Sequence, residues 1–200
     1  DHPGTPPSDW SLEKGTLWNV AIPGRGHSSP IIIGDRLYLT TCDEQAETRS
    51  LLVFDRHTGQ LLASPVALTG GLAEKIHAHN THASSTPASD GEHVYAMFAY
   101  EGAIWITCYD LAGTQIWQRR IAGFDPQLMP FGQGSSPIIY QDVILVATEY
   151  DGDDSGIYGV NKHSGDTLWH APRRQTLSNS SPIVTTIRGT PQLVISGHAC

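Results

Sequence analysis

The chain lacks any apolar stretch approaching the ~20 residues that a membrane-crossing helix requires. It is also poor in cations, with 12 Lys and Arg against 20 Asp and Glu and a formal net charge of −8. Nucleic-acid binding needs clustered Lys and Arg to neutralise phosphates. Here the cations are scattered apart from the pairs Arg119-Arg120 and Arg173-Arg174, which read as strand ends or loops, so no nucleic-acid partner is expected. Cysteine is scarce. Cys42, Cys108 and Cys200 are odd in number and widely spaced, which gives neither a disulfide framework nor a C-x-x-C metal site. They read as buried or incidental thiols and leave the redox compartment open. No signal peptide is visible in the opening Asp1-His2-Pro3-Gly4, as expected of a mature or trimmed chain. There is no Gly-x-Ser-x-Gly elbow, no His-Glu-x-x-His and no phosphate loop. Those absences remove the common signatures of serine hydrolases, zinc proteases and nucleotide enzymes.

What the chain has is turns. Its 200 residues include 20 Gly and 13 Pro, and short β-branched or aromatic runs lie between them. That texture predicts an all-β fold with many tight turns. A Ser/Thr-Pro step recurs at Ser28-Ser29-Pro30, Ser85-Thr86-Pro87, Ser135-Ser136-Pro137 and Ser180-Ser181-Pro182, with the prolines 57, 50 and 45 residues apart. Each step leads into an apolar strand, a turn such as Gly34-Asp35 or Gln141-Asp142, and a second strand. A second marker follows in each full copy: Asp55 to Gly59, Asp110 to Gly113 and Asn161 to Gly165, each leading to a further strand. Asp or Asn before a turn can accept backbone N–H bonds, and Gly supplies the positive φ. Two hairpins per copy make a four-stranded sheet of the period of a propeller blade, which must stack on its neighbours to bury its faces.

The marker Asp-x-x-Thr/Ser-Gly-x-x-x-Trp resembles the tryptophan-docking repeat of the pyrroloquinoline-quinone-like β-propeller family. The stretches Ile22 to Pro30 and Asn80 to Pro87 are similar to an exported bacterial branch of that family without assigned function. The resemblance implies a partial propeller of about four blades. Residues 1–13 read as an N-terminal extension, and blades occupy 14–200. Their parts are a leading outer strand at 14–24, blades at 27–64, 82–120 and 134–170, and a partial blade at 179–200. It implies that Trp18, Trp117 and Trp169 dock on neighbouring blades, at corners built by Asp55 and Gly59, Asp110 and Gly113, and Asn161 and Gly165. Leu62 takes the Trp place in the first copy, predicting a weaker contact, and Ala112 stands where Thr or Ser is usual. Three arrangements complete the ring: a longer chain, a homodimer forming a larger propeller, or closure of the leading strand on the partial blade. Each would cover exposed strand edges.

Three features fall on the rim where the blades are linked. The linker Pro65 to Ser84 carries His77, His79 and His82, and His27 holds a comparable place before the first blade. Imidazoles in that spacing can bind zinc, copper or nickel; equally, they can bond carbonyls and pin a long loop. Asp151, Asp153 and Ser155 match the first half of a calcium loop, but Lys162 stands where the twelfth-position Glu belongs. Phe124, Leu128, Met129 and Phe131, on the linker after the second blade, are candidates for a partner-binding patch.

The quinone-dependent dehydrogenases of the family have adjacent bridged cysteines, a Trp floor and a calcium held by carboxylates. This chain has no adjacent cysteines, and Trp105 reads as a packing residue. The expectation is therefore a non-catalytic scaffold without catalytic residues or an organic cofactor. Its rim would face a protein or cell-envelope partner, as in the outer-membrane-assembly propeller lipoproteins of the family, in a periplasmic or secreted location. The rival readings are metal or small-ligand binding through residues 77–82 and a quinone-dependent dehydrogenase.

Overall fold

Each Pro-led copy folds into an antiparallel sheet of successive hydrogen-bonded strands, four in each of the first three copies and two in the last, with one further strand in the first copy paired outside that order. The computed structural model describes residues 8–197; Cys200 lies outside them. The first sheet holds β1 (Ile31–Ile33), β2 (Arg36–Asp43), β3 (Thr48–Asp55), β4 (Leu61–Ala63) and β5 (Val66–Thr69). The second holds β6 (Ala88–Ser89), β7 (His93–Tyr100), β8 (Ala103–Asp110) and β9 (Gln115–Gly123). The third holds β10 (Ile138–Tyr140), β11 (Val143–Thr148), β12 (Gly156–Asn161) and β13 (Thr167–Pro172). The last pairs β14 (Ile183–Ile187) with β15 (Thr190–Val194). No helix occurs among the described residues, so none crosses a membrane. The architecture is all-β, a propeller-like partial fold.

The middle strands β3, β11 and β12 are buried along nearly their whole length, and β2, β7 and β8 through most of theirs. A strand with both faces buried belongs to a sheet stacked on both sides. Tyr38, Leu51 and Val53 of the first sheet meet Val94, Phe98 and Tyr109 of the second in one apolar cluster. Tyr95, Ile106 and Trp117 of the second meet Ile144, Val146 and Val160 of the third in another. The last pair of strands is exposed along most of its length.

The Ser/Thr-Pro steps connect the sheets. The Ser29 N–H donates to Thr86 Oγ1 at 2.9 Å, the Thr86 N–H to Ser136 Oγ at 3.0 Å, and the Ser136 N–H to Ser181 Oγ at 2.9 Å. Each residue before a proline thus bonds to its equivalent in the next copy. Ser85 adds a parallel bond, donating from Oγ to the Ser135 carbonyl at 2.6 Å.

Three boundaries differ from the sequence reading. Residues 14–24 form no strand; the leading segment is attached to the first sheet by an isolated bridge from Arg25 to Cys42, by the Trp18 indole on the Arg56 carbonyl and by the Thr41 hydroxyl on the Pro23 carbonyl. The first outer edge does not end at residue 64. It resumes after Ser64-Pro65 as β5, which pairs with β3 across a bulge. Likewise β9 continues past residue 120 to Gly123, where it pairs with Ala103.

Candidate functional site

The indoles lie against corners. Asp55 Oδ1 accepts from the backbone of His57 at 2.9 Å and of Thr58 at 2.8 Å, and the Gly59 N–H closes on the Asp55 carbonyl at 2.8 Å. Trp18 lies on this corner, with Nε1 donating to the Arg56 carbonyl at 2.8 Å. Gly59 sits there at φ 71°, and a Cβ on it would come 2.7 Å from the indole ring. Trp117 repeats the arrangement one sheet further on. Its Nε1 donates to the Lys162 carbonyl at 3.1 Å, and a Cβ on Gly165 would again lie 2.7 Å from the ring. Trp169 remains 42% exposed beside Gly159 of its own sheet. Trp105 packs edge-on to Tyr100, with ring centroids 6.0 Å apart.

The first copy solves the same problem differently. Cross-strand register places Ala63 opposite Val53, as Trp117 is opposite Cys108, so Ala63 and not Leu62 holds the Trp position. Leu62 is 47% exposed. Ala63 and Pro65 approach Gly113, while the carbonyl of Leu111 accepts from the Tyr38 hydroxyl at 2.8 Å and from the Arg36 guanidinium. The corner there is one residue shorter. Gly113 N–H bonds to the Asp110 carbonyl at 3.1 Å, and Asp110 Oδ1 takes the Thr114 N–H at 2.8 Å, so the missing hydroxyl at Ala112 is bypassed.

Lys162 also reaches across the second and third sheets, to Asp90 at 3.3 Å and Asp142 at 3.2 Å. Burial alone would raise the Asp90 pKa. The N–H bonds from His93 and Glu92 and the Lys162 ammonium outweigh it and depress the carboxyl to about 2.

At the opposite rim, two linkers cross over the second sheet. Arg49, fully buried, donates to the carbonyls of Gly70 at 2.8 Å and Gly71 at 2.9 Å and lies 5.4 Å from the Tyr100 ring centre. It fixes the start of the first linker. Asn80 Nδ2 joins the first linker to the second, donating to the Phe131 carbonyl at 2.7 Å. Asp151 holds the second linker from the third sheet, accepting from the N–H groups of Gln127 at 3.0 Å and Leu128 at 2.7 Å. Between the linkers and the top of the second sheet lies a cavity of about 520 Å³. Its walls include buried Met97, Phe98 and Phe124, and Glu101 and Asp125 are exposed at its edge.

The proposed metal ligands do not converge. Among the described residues no three or more His, Cys, Asp or Glu side chains are grouped to hold an ion. The His77 ring meets His79 at 5.2 Å and Phe131 at 5.2 Å, both edge-on, and His77 Nδ1 accepts the His79 N–H at 3.2 Å. His82 is half-buried, and its burial, with Arg49 and Arg25 nearby, lowers its pKa and favours neutral imidazole. His27 is tied through its backbone N–H to the Ala83 carbonyl at 3.0 Å. The acidic loop is likewise engaged elsewhere. Asp153 accepts from Gln175 at 2.9 Å, Asp154 from the Gly123 N–H at 2.7 Å, and Ser155 Oγ donates to the Arg174 carbonyl at 2.9 Å. Its oxygens serve neighbouring segments and do not surround one point.

Nor do the patch residues behave alike. Phe124 is buried, 5.3 Å from the Tyr150 ring, because the extra length of β9 carries it into the core. Leu128 is 80% exposed, and Met129 and Phe131 are exposed with it.

A family model described as "Outer membrane protein assembly factor BamB" matches residues 11–194. The chain belongs to that family. It is also similar in fold to a europium-containing methanol dehydrogenase, with TM-score 0.52, 11% identity, 74% of this chain covered and 25% of that one. A quinohemoprotein alcohol dehydrogenase from Comamonas testosteroni gives TM-score 0.50, 14% identity and coverage of 74% and 21%. BamB from Moraxella catarrhalis matches at TM-score 0.44 and 14% identity, over 86% of this chain and 61% of that one. The chain therefore spans about a quarter of the length of the two dehydrogenases. A search of curated proteins finds no match.

Cys42 and Cys108 are buried on strands of different sheets, and burial pushes their thiols up to about 11 and about 12. The carboxylates of the acidic loop are committed to backbone and amide donors.

Proposed function

We propose that this chain is the blade-bearing part of a non-catalytic scaffold that binds a protein partner of the cell envelope through its linker rim. The observation that carries this reading is the apolar ridge of Leu128, Met129 and Phe131 on a linker held from both sides. Exposed apolar side chains on a restrained backbone lose little entropy on binding and suit an interface anchor. Membership of the BamB family supports a protein partner and a periplasmic or envelope setting. Nothing in the comparisons supports the homodimer.

The test is position-specific photo-cross-linking in the full-length protein in its own cells. A photoreactive residue replacing Leu128 is expected to yield one discrete protein adduct, and the same residue at His57, on the opposite rim, is expected to yield none. Equal labelling from both positions would contradict the proposal. Dye-linked alcohol oxidation above background, after addition of quinone and calcium to the purified protein, would contradict the non-catalytic part.

A further inference from the structure

The cavity between the linkers combines two chemistries. Its lining is mixed: half-buried Leu72, Ile76, Pro126 and Pro130 supply apolar surface over buried Met97 and Phe98, beside the polar Thr81 and Gln133. Around its edge lie three carboxylates, Glu74, Glu101 and Asp125, against one ammonium, Lys75. None of these four side chains is ion-paired among the described residues, whereas the acidic side chains of the neighbouring loop are bonded to nearby segments. The first linker passes close over Glu101, since a Cβ on Gly71 would lie 2.7 Å from its side chain. The volume of about 520 Å³ lies within the range of sites that enclose a small ligand or a large side chain.

We infer that this cavity receives an aromatic side chain of the partner, with an adjacent Arg or Lys placed over Glu101 and Asp125. The aromatic ring replaces water against the Leu72, Ile76, Pro126 and Pro130 side chains, and the cation meets carboxylates at the edge that have no ion-pair partner among the described residues. Leu128 and Met129, on the same linker as Asp125, flank the segment that carries the pair. This inference rests on the rim being the partner-binding face and names the chemistry of what it binds.

The probe is an acetylated, amidated tetrapeptide Ser-Phe-Arg-Ser, compared with Ser-Phe-Glu-Ser and Ser-Ser-Arg-Ser, with binding to the full-length protein measured by calorimetry or NMR titration. The Phe-Arg peptide is expected to bind at least about tenfold more tightly than either control. The double variant Glu101→Gln, Asp125→Asn is expected to remove about fivefold of that advantage and to flatten the salt dependence. An unchanged melting temperature of the variant shows that the loss is not unfolding. Equal binding of the Phe-Arg and Phe-Glu peptides, undiminished binding by the variant, or no binding of any peptide would overturn the inference. Adducts formed from position 128 despite such a result would leave the rim reading standing; loss of those adducts would end both.

Discussion

Tyr38 shows how one side chain can do the work of another. Where Trp18 and Trp117 close a corner by donating an indole N–H, the corner at Leu111 receives a phenolic O–H from a different strand. Tyr38→Phe is therefore expected to cost about 0.5–1.5 kcal/mol in chemical denaturation, with Arg36 retaining part of the contact. Leu62→Ala, by contrast, is expected to change stability by no more than about 0.5 kcal/mol, because Leu62 is half-exposed. The spacing itself points to Ala63, four residues after Gly59 as Trp117 and Trp169 are four after Gly113 and Gly165, so placing Leu62 there is one residue short, and the pairing of β3 with β4 agrees with the count. Asp90 gives a pH dependence. Its folded-state pKa of about 2 lies below the ordinary 3.8, so its contribution is complete above about pH 4 and is lost as the pH falls through about 2. Asp90→Asn should lower stability at neutral pH and flatten the acid limb between those values, as followed by denaturant midpoints. A limb as steep as that of the wild type would show that other carboxylates govern acid unfolding.

At the scale of the element, the Ser/Thr-Pro repeat was legible as a period but not as a bonding pattern. Each hydroxyl lies close to a main-chain N–H 45 to 57 residues away, a contact that no local pattern encodes. Thr86→Val keeps the shape and removes the acceptor for Ser29. It is expected to cost about 1 kcal/mol or less, because the Ser29 N–H can turn to water. Protection of that amide from hydrogen exchange should fall, and unchanged protection would contradict the contact. The hairpins were readable because their turn residues and apolar runs coincide. The linkers were readable only in outline. β5 follows a proline that reads as a break, and Phe124 sits beyond a nine-residue strand, β9, that contains two register shifts. Both facts depend on pairing across the sheet. The His cluster and acidic loop were legible as compositions, but convergence on an ion depends on backbone direction, and here the backbone points the side chains apart or into neighbouring segments.

For the molecule as a whole, the stacked sheets act as a rigid base and the crossed linkers as the presenting surface. The wedge and the rim are therefore separable. Trp117 is 7% exposed between two sheets, so Trp117→Ala is expected to cost about 3–5 kcal/mol, yet it touches no part of the linker ridge. The decisive measurement combines thermal melting with adduct yield from a photoreactive residue at Phe131, in Trp117→Ala and in Leu128→Glu, Met129→Glu. The wedge variant should melt markedly lower and form adducts normally per folded molecule. The rim variant should melt like the wild type and form almost none. Full adduct yield from a folded rim variant would contradict the assignment of partner binding to this surface.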